Sequence, residues 1–333
     1  MKKVLLAIAA VATITSCSQN EEFENPVQKA EIGFNTAAVT RATAMITDNF
    51  KEFQVYGYAH SGAFDNETEG TSLVNGYFKK DDSNKWNENE SKKFYWPSSN
   101  NVTFFAYSPV PVAGDANSNA VYSAPTDGKG YPTIEYTVVD NIVNQEDFLI
   151  AQFTGDGNSN KAGVSLGFKH ALTQIAFKLK GSDTNVSYSV TKIVLEGIKN
   201  SGKYKWGGTS WEVLTTSKPY TVTMTDEAIE FNGDAAATEL TGNDKVLMLI
   251  PQAPSNAKIH VTYTAKGKAL DGTTDIVYCN NETKSVEVPT TQWVAGNRII
   301  FTIALSPGNT INISGSVDTW KDSEVQPDDL ETK

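Results

Sequence analysis

Short apolar runs separated by turn residues organise most of this chain. Phe53-Gln54-Val55-Tyr56-Gly57-Tyr58, Val102-Thr103-Phe104-Phe105-Ala106-Tyr107 and Thr133-Ile134-Glu135-Tyr136-Thr137-Val138-Val139 are rich in aromatic and β-branched residues, and clusters of Gly, Pro, Asn and Asp bound them. That pattern predicts strands. The second half repeats it at 190–195, 220–224, 246–250, 259–264 and 299–305. Several of these runs alternate apolar with polar residues, as a strand does when one sheet face packs inward and the other meets water. A helix of any length is suggested only at 227–240, where Gly233 interrupts it. Many short strands without helices between them exclude a parallel α/β sheet and predict an all-β chain built of sandwiches. The polar loop at 155–163, Gly-Asp-Gly-Asn-Ser-Asn-Lys-Ala-Gly, lies near the midpoint and predicts a boundary between domains at 30–162 and 163–333. Each is long enough to bury its own core.

The N-terminus departs from that pattern. Met1-Lys2-Lys3 precedes a run from 4 to 14 that is apolar except for Thr13, and Thr15-Ser16-Cys17 follows. A basic start, a short apolar stretch and small residues before the cut make a secretory signal at 1–16, too short to remain as a membrane span. Ile14-Thr15-Ser16-Cys17 resembles the lipobox of bacterial lipoproteins. The resemblance implies cleavage before Cys17, diacylation of its thiol and acylation of the new amino group. Each buried acyl methylene stabilises the anchor by about 0.8 kcal/mol. Segment 17–29, beginning Cys17-Ser18-Gln19-Asn20-Glu21-Glu22-Phe23-Glu24, is too polar and acidic to fold alone and reads as a tether. It also resembles the surface-export signal of Bacteroidetes lipoproteins, which implies display on the outer leaflet of the outer membrane.

Charge and chemistry narrow the function. The net charge is −11, and removal of 1–16 takes away Lys2 and Lys3 but no acid, leaving −13. Such a balance disfavours nucleic acid and anionic membranes as partners, because phosphate recognition needs clustered Lys and Arg. With Cys17 committed to lipid, Cys279 has no cysteine to pair with, so the core must hold the fold. His60, His170 and His260 stand far apart and belong to no close ligand pair. For His170, a structural place at a sheet edge fits better than catalysis. Asp81-Asp82 and Asp328-Asp329 lack the spacing of a calcium loop. No nucleophile elbow, phosphate loop or dinucleotide fingerprint is present. These residues predict neither an enzyme, nor a metal site, nor a cofactor. Trp86, Trp96, Trp206, Trp211, Trp293 and Trp320 offer stacking faces for sugars, with burial in a core as the plainer use.

A series of ordered motifs carries a family resemblance. Tyr95-Trp96-Pro97 with 102–107, Asp147-Phe148-Leu149-Ile150-Ala151, Phe168-Lys169-His170-Ala171-Leu172-Thr173-Gln174-Ile175, Leu249-Ile250-Pro251-Gln252 and Trp293-Val294-Ala295-Gly296-Asn297 are similar, in order and spacing, to signposts of Bacteroidetes fimbrillins. The similarity runs from about residue 32 to 320. It implies two transthyretin-like β-sandwich domains, synthesis as a lipoprotein, and assembly with other subunits, of the same or another kind, into type V fimbriae serving adhesion. It further implies that an arginine-specific protease removes an N-terminal strand and leaves an open groove. Here Glu31-Ile32-Gly33-Phe34-Asn35-Thr36 alternates like a strand, and Arg41, the first arginine, followed by Ala42, stands where the cut belongs. The groove is then filled by β-augmentation from a neighbouring subunit. Ile311, Ile313 and Val317 mark the C-terminal segment as the candidate donor, with an ordinary last strand as the alternative. Stalk, tip and anchor roles stay open, as does a surface lipoprotein that captures a glycan or another host or bacterial surface ligand without polymerising.

Overall fold

Aromatic and β-branched residues form strands where they fall in alternating runs, and the chain is all-β. The structure, a computed structural model, describes residues 30–37, 50–111, 119–208, 210–224, 228–233, 236–242, 244–308 and 310–319. Cys17, Arg41, Ala42 and Trp320 lie outside the described residues. The first strands are β1 (Phe34–Ala37), β2 (Glu52–His60), β3 (Thr71–Lys80), β4 (Trp86–Glu88) and β5 (Asn101–Ser108). Then come β6 (Ala120–Ser123), β7 (Thr133–Thr137), β8 (Leu149–Gly155), β9 (Val164–Gly167) and β10 (Lys169–His170). The second half holds β11 (Thr173–Gly181), β12 (Val186–Lys199), β13 (Ser201–Lys205), β14 (Trp211–Val213), β15 (Ser217–Thr223) and β16 (Ile229–Asn232). It ends with β17 (Thr238–Glu239), β18 (Leu247–Leu249), β19 (Lys258–Lys268), β20 (Asp275–Glu287), β21 (Asn297–Leu305) and β22 (Asn312–Thr319). The helix considered at 227–240 is replaced by β16 and β17. At Gly233 a Cβ would sit 1.6 Å from the Asp183 carbonyl oxygen, so the chain passes too closely there for any side chain.

A six-stranded sheet, ordered β10-β8-β5-β2-β3-β4, forms the middle of the first half. Both of its faces are covered. Phe53, Val55, Val102, Phe104 and Ala106 point to one side, into a cluster with Ile32, Phe34, Val164 and Leu166 of the β1 region and β9. Tyr58, Phe105 and Tyr107 point to the other, into a cluster with Ile134, Tyr136, Trp206 and Trp211. This double burial explains the continuous apolar run at 104–107 of β5, which one-sided burial would have alternated.

The second covering layer is a four-stranded sheet, β14-β13-β7-β6, drawn from both halves of the chain. Tyr56 stacks on Tyr122 at 3.6 Å between ring centroids, and Phe105 meets Trp206 at 5.7 Å. Buried indole nitrogens need acceptors. Trp206 donates to the Ala151 carbonyl at 3.1 Å, and Trp211 to that of Ala171 at 2.7 Å.

The C-terminal sandwich packs β17-β11-β21-β22, with β18 beside β11, on β15-β12-β19-β20, with β16 beside β12. Ile175, Phe177, Ile299, Phe301 and Ile303 face Tyr188, Val190, Ile193, Val261 and Tyr263 across this core. β11 and β21 pair in parallel, Gln174 to Arg298 through Gly181 to Leu305. A parallel pair cannot close through a tight turn, and the intervening chain builds the opposite sheet. The loop at 155–163, expected as a domain boundary, is followed by β9 and β10, which pair back to β1 and β8 of the first half. Its Asp156 carboxylate accepts from the backbone N–H groups of Asn158 and Ser159, and Gly157 lies against the Trp96 side chain. Strand pairing therefore crosses position 163.

Candidate functional site

The N-terminal strand is held from two sides. Upstream, the Ile32 N–H donates to the Phe94 carbonyl at 2.8 Å and the Trp96 N–H donates to the Ala30 carbonyl at 3.0 Å. Downstream, β1 runs parallel to β9 from Phe34 opposite Val164 to Ala37 opposite Gly167. The Asn35 amide adds a bond to the Ala162 carbonyl at 2.7 Å. Among the described residues β1 is the only ladder partner of β9.

Alternation aims the apolar side chains inward. Ile32 is 4% exposed and Phe34 5%. The Phe34 ring meets Phe78, Phe104 and Phe53 edge-on, at centroid distances of 4.8, 5.5 and 5.8 Å. Edge-to-face pairs at these distances each add about 0.5–1.5 kcal/mol beyond simple burial. Glu31 and Lys93 form an ion pair at 3.0 Å on the surface, where solvent screening leaves it little weight. Removal of this strand would expose the backbone groups of Phe94, Trp96 and β9 together with an apolar slot. That is the arrangement a foreign strand completes.

Residues 40–320 match the model of the fimbrillin-like family. The chain belongs to the fimbrillin-like family. It is 26% identical to the fimbrium subunit Fim1C of Phocaeicola vulgatus, across 96% of this chain and 97% of that protein. A fimbrial protein from Bacteroides vulgatus has the same fold, with TM-score 0.69 and 22% identity over 87% of this chain and 99% of that one. A candidate cell-adhesion protein from Bacteroides ovatus aligns with TM-score 0.51 and 17% identity, over 89% and 99% of the two chains.

In this fimbrillin-like chain the C-terminal segment forms β22, an edge strand paired antiparallel with β21, Ile313 opposite Ile303 and Val317 opposite Ile299. Ile311 is buried, Ile313 half-buried and Val317 exposed. The sequence contains two arginines. Arg298 lies within β21, between Gln174 and Asp318, and its guanidinium pairs with Glu239. An arginine fixed inside a sheet is a poor protease substrate.

The candidate chemical residues are dispersed. His60 Nε2 hydrogen-bonds Thr103 Oγ1 at 2.8 Å, and burial pushes its pKa down. His260 ties Ser285 at 2.6 Å and Glu196 at 2.7 Å across three neighbouring strands on the outer face of its sheet. His170, in the edge strand β10, pairs through Nδ1 with Asp147 at 2.6 Å, and both side chains are buried. Burial raises the Asp147 carboxyl, while His170 opposes the rise. Asp81 serves its own turn by accepting from Lys85 and Ser83, and the first of these contributes most to holding its carboxyl below the usual range. Five tryptophans, Trp86, Trp96, Trp206, Trp211 and Trp293, are core residues, which removes them as sugar platforms.

The family signposts are the knots of the fold. Asp147 and His170 join two of them. Gln252 uses its side-chain amide as a strand would, accepting from the Lys199 N–H and donating to the Lys199 carbonyl, each at 2.9 Å. Gly296, with φ +75°, donates to the Leu172 carbonyl at 2.8 Å. Sequence reading missed the aromatic box around Phe34. Phe53, Phe78 and Phe104 were visible as strand residues, but nothing local showed that they converge.

Proposed function

We propose that this chain is a structural subunit of a cell-surface fimbria that serves adhesion, exported as a lipoprotein and activated when an arginine-specific protease cuts between Arg41 and Ala42. The groove left by the departing strand then receives a strand from a neighbouring subunit. The observation that carries this reading is the burial of Ile32 and Phe34 in a strand paired with β9 and joined through residues 38–49 to the rest of the fold. A segment placed there supplies core side chains yet belongs to the peptide that the cut would release. The edge position of β22, with one of its two backbone sides unpaired among the described residues, fits a strand that can be donated in turn.

Treatment of the purified lipid-free chain with an arginine-specific protease is expected to give a product starting at Ala42 and ladders of oligomers, followed by fibres in electron micrographs. Arg41→Ala should give neither. A product that starts at Ala42 but stays monomeric under assembly conditions would remove the polymer reading.

The double variant Ile311→Asp/Ile313→Asp is expected to cut polymer yield more than tenfold, because two apolar pockets worth roughly 1.5–3 kcal/mol each would receive charges. Yield is read well below the variant's own melting temperature, since Ile311 also packs in its own sandwich. Undiminished polymer would rule β22 out as the donor.

Lipid attachment has a separate test. Cys17→Ala should lose labelled palmitate and release the protein from the membrane fraction; equal labelling of both proteins contradicts an anchor at Cys17.

A further inference from the structure

The pocket under Phe34 is built from rings that brace one another. Phe53 stacks on Phe78 at 5.4 Å with 9° between ring planes and meets Trp86 at 4.8 Å. Phe104 meets Trp96 edge-on at 5.7 Å. Phe50 closes the far side against Trp86 and Phe168, at 5.3 and 4.7 Å. Walls that are already packed cannot collapse around a smaller side chain, so the slot keeps the size and flatness of a phenyl ring.

The chain's own candidate donor does not match that slot. The residues on one face of it, Ile311, Ile313, Gly315 and Val317, include no aromatic residue. In any register the largest group it can place where Phe34 stands is isoleucine, and one register places glycine. Trp320, the next aromatic along, is separated from Ile313 by an odd number of positions, and a continuous strand would turn it to the opposite face.

Resting on the strand-exchange reading above, we infer that the groove beneath β1 selects a strand with an aromatic anchor at the Phe34 position and an aliphatic residue two places before it. A strand from a different subunit that carries such an anchor is therefore preferred to the strand of a second copy of this chain, which fills the groove more weakly when no other donor is present. Two grooves and two donors of unlike shape give the assembly an order: this subunit receives an aromatic-anchored strand and donates an aliphatic one. A cavity in a braced pocket weakens binding, and a mismatched anchor here should cost about tenfold or more in affinity.

The test uses the full chain after arginine-specific cleavage and three synthetic peptides: residues 30–37, the same peptide with Phe34→Ile, and residues 310–319. Native mass spectrometry follows displacement of the released N-terminal segment by each peptide, and thermal stabilisation provides a second reading. The 30–37 peptide is expected to half-saturate the groove at a concentration at least tenfold below that needed by either of the others. Equal or tighter capture of 310–319 overturns the inference while leaving strand exchange intact. If the chain is not cut at Arg41, or is cut but captures none of the peptides, strand exchange itself fails and the inference falls with it.

Discussion

Phe34→Ala is expected to destabilise the uncleaved chain by about 3–5 kcal/mol, the range for removing a buried phenylalanine from a core that cannot relax into the space. The ring is 5% exposed and meets three other phenylalanines, so its loss removes both apolar burial and edge-to-face contacts. Urea titration should show a lower midpoint with little change in slope. The effect should depend on processing. Once residues up to 41 have been cut away and displaced, variant and parent chains are identical, and their melts should coincide. A loss below about 1 kcal/mol in the uncleaved protein would show that the N-terminal strand is not part of the core.

His170→Ala is expected to cost a similar amount at neutral pH, about 3–5 kcal/mol, because it strands the Asp147 carboxylate in a fully buried position. Asp147 Oδ1 already lacks a hydrogen-bond partner among the described residues, and its Oδ2 bonds His170 at 2.6 Å. The pH dependence follows from the raised carboxyl. An acid whose folded pKa lies above its unfolded value, about 3.9, favours the fold fully below that unfolded value. That contribution is lost as pH rises through the folded value. Removing His170 takes away the opposing influence and lifts the folded value further. The variant's deficit should therefore be smallest near pH 4 and grow towards neutrality. Adding Asp147→Asn to His170→Ala removes the charge and should flatten the profile; a double variant with the same slope as the single would show that Asp147 does not carry the effect.

Local pattern made much of the strand content legible. The run at 53–58 lies inside β2, 102–107 inside β5, 259–264 inside β19 and 299–305 inside β21. The strand-like alternation at 31–36 was legible, and Ile32 and Phe34 are buried, although the strand itself spans only Phe34–Ala37. Two placements were not legible. β5 was read by composition as a strand, but its apolar run at 104–107 means burial on both faces, which requires a third layer that no nearby residue announces. The loop at 155–163 looks like a linker because it is polar and glycine-rich; the same residues make a tight turn that returns the chain to β9. Composition reports solvent exposure of a loop and says nothing about where the next strand pairs.

Period and propensity are properties of a few adjacent residues, and through them the sequence alone determined an all-β chain and the alternation of several of its strands. Which strand lies beside which was decided only in three dimensions. β1 finds β9 across more than a hundred residues, and Phe53, Phe78 and Phe104 converge on Phe34 from three different strands. Any apolar strand satisfies an alternation rule; only complementary side-chain shapes packed to interior density select the partner. For the same reason the aromatic slot, on which the inferred preference for a foreign strand rests, is found in the packed structure and nowhere in the linear pattern.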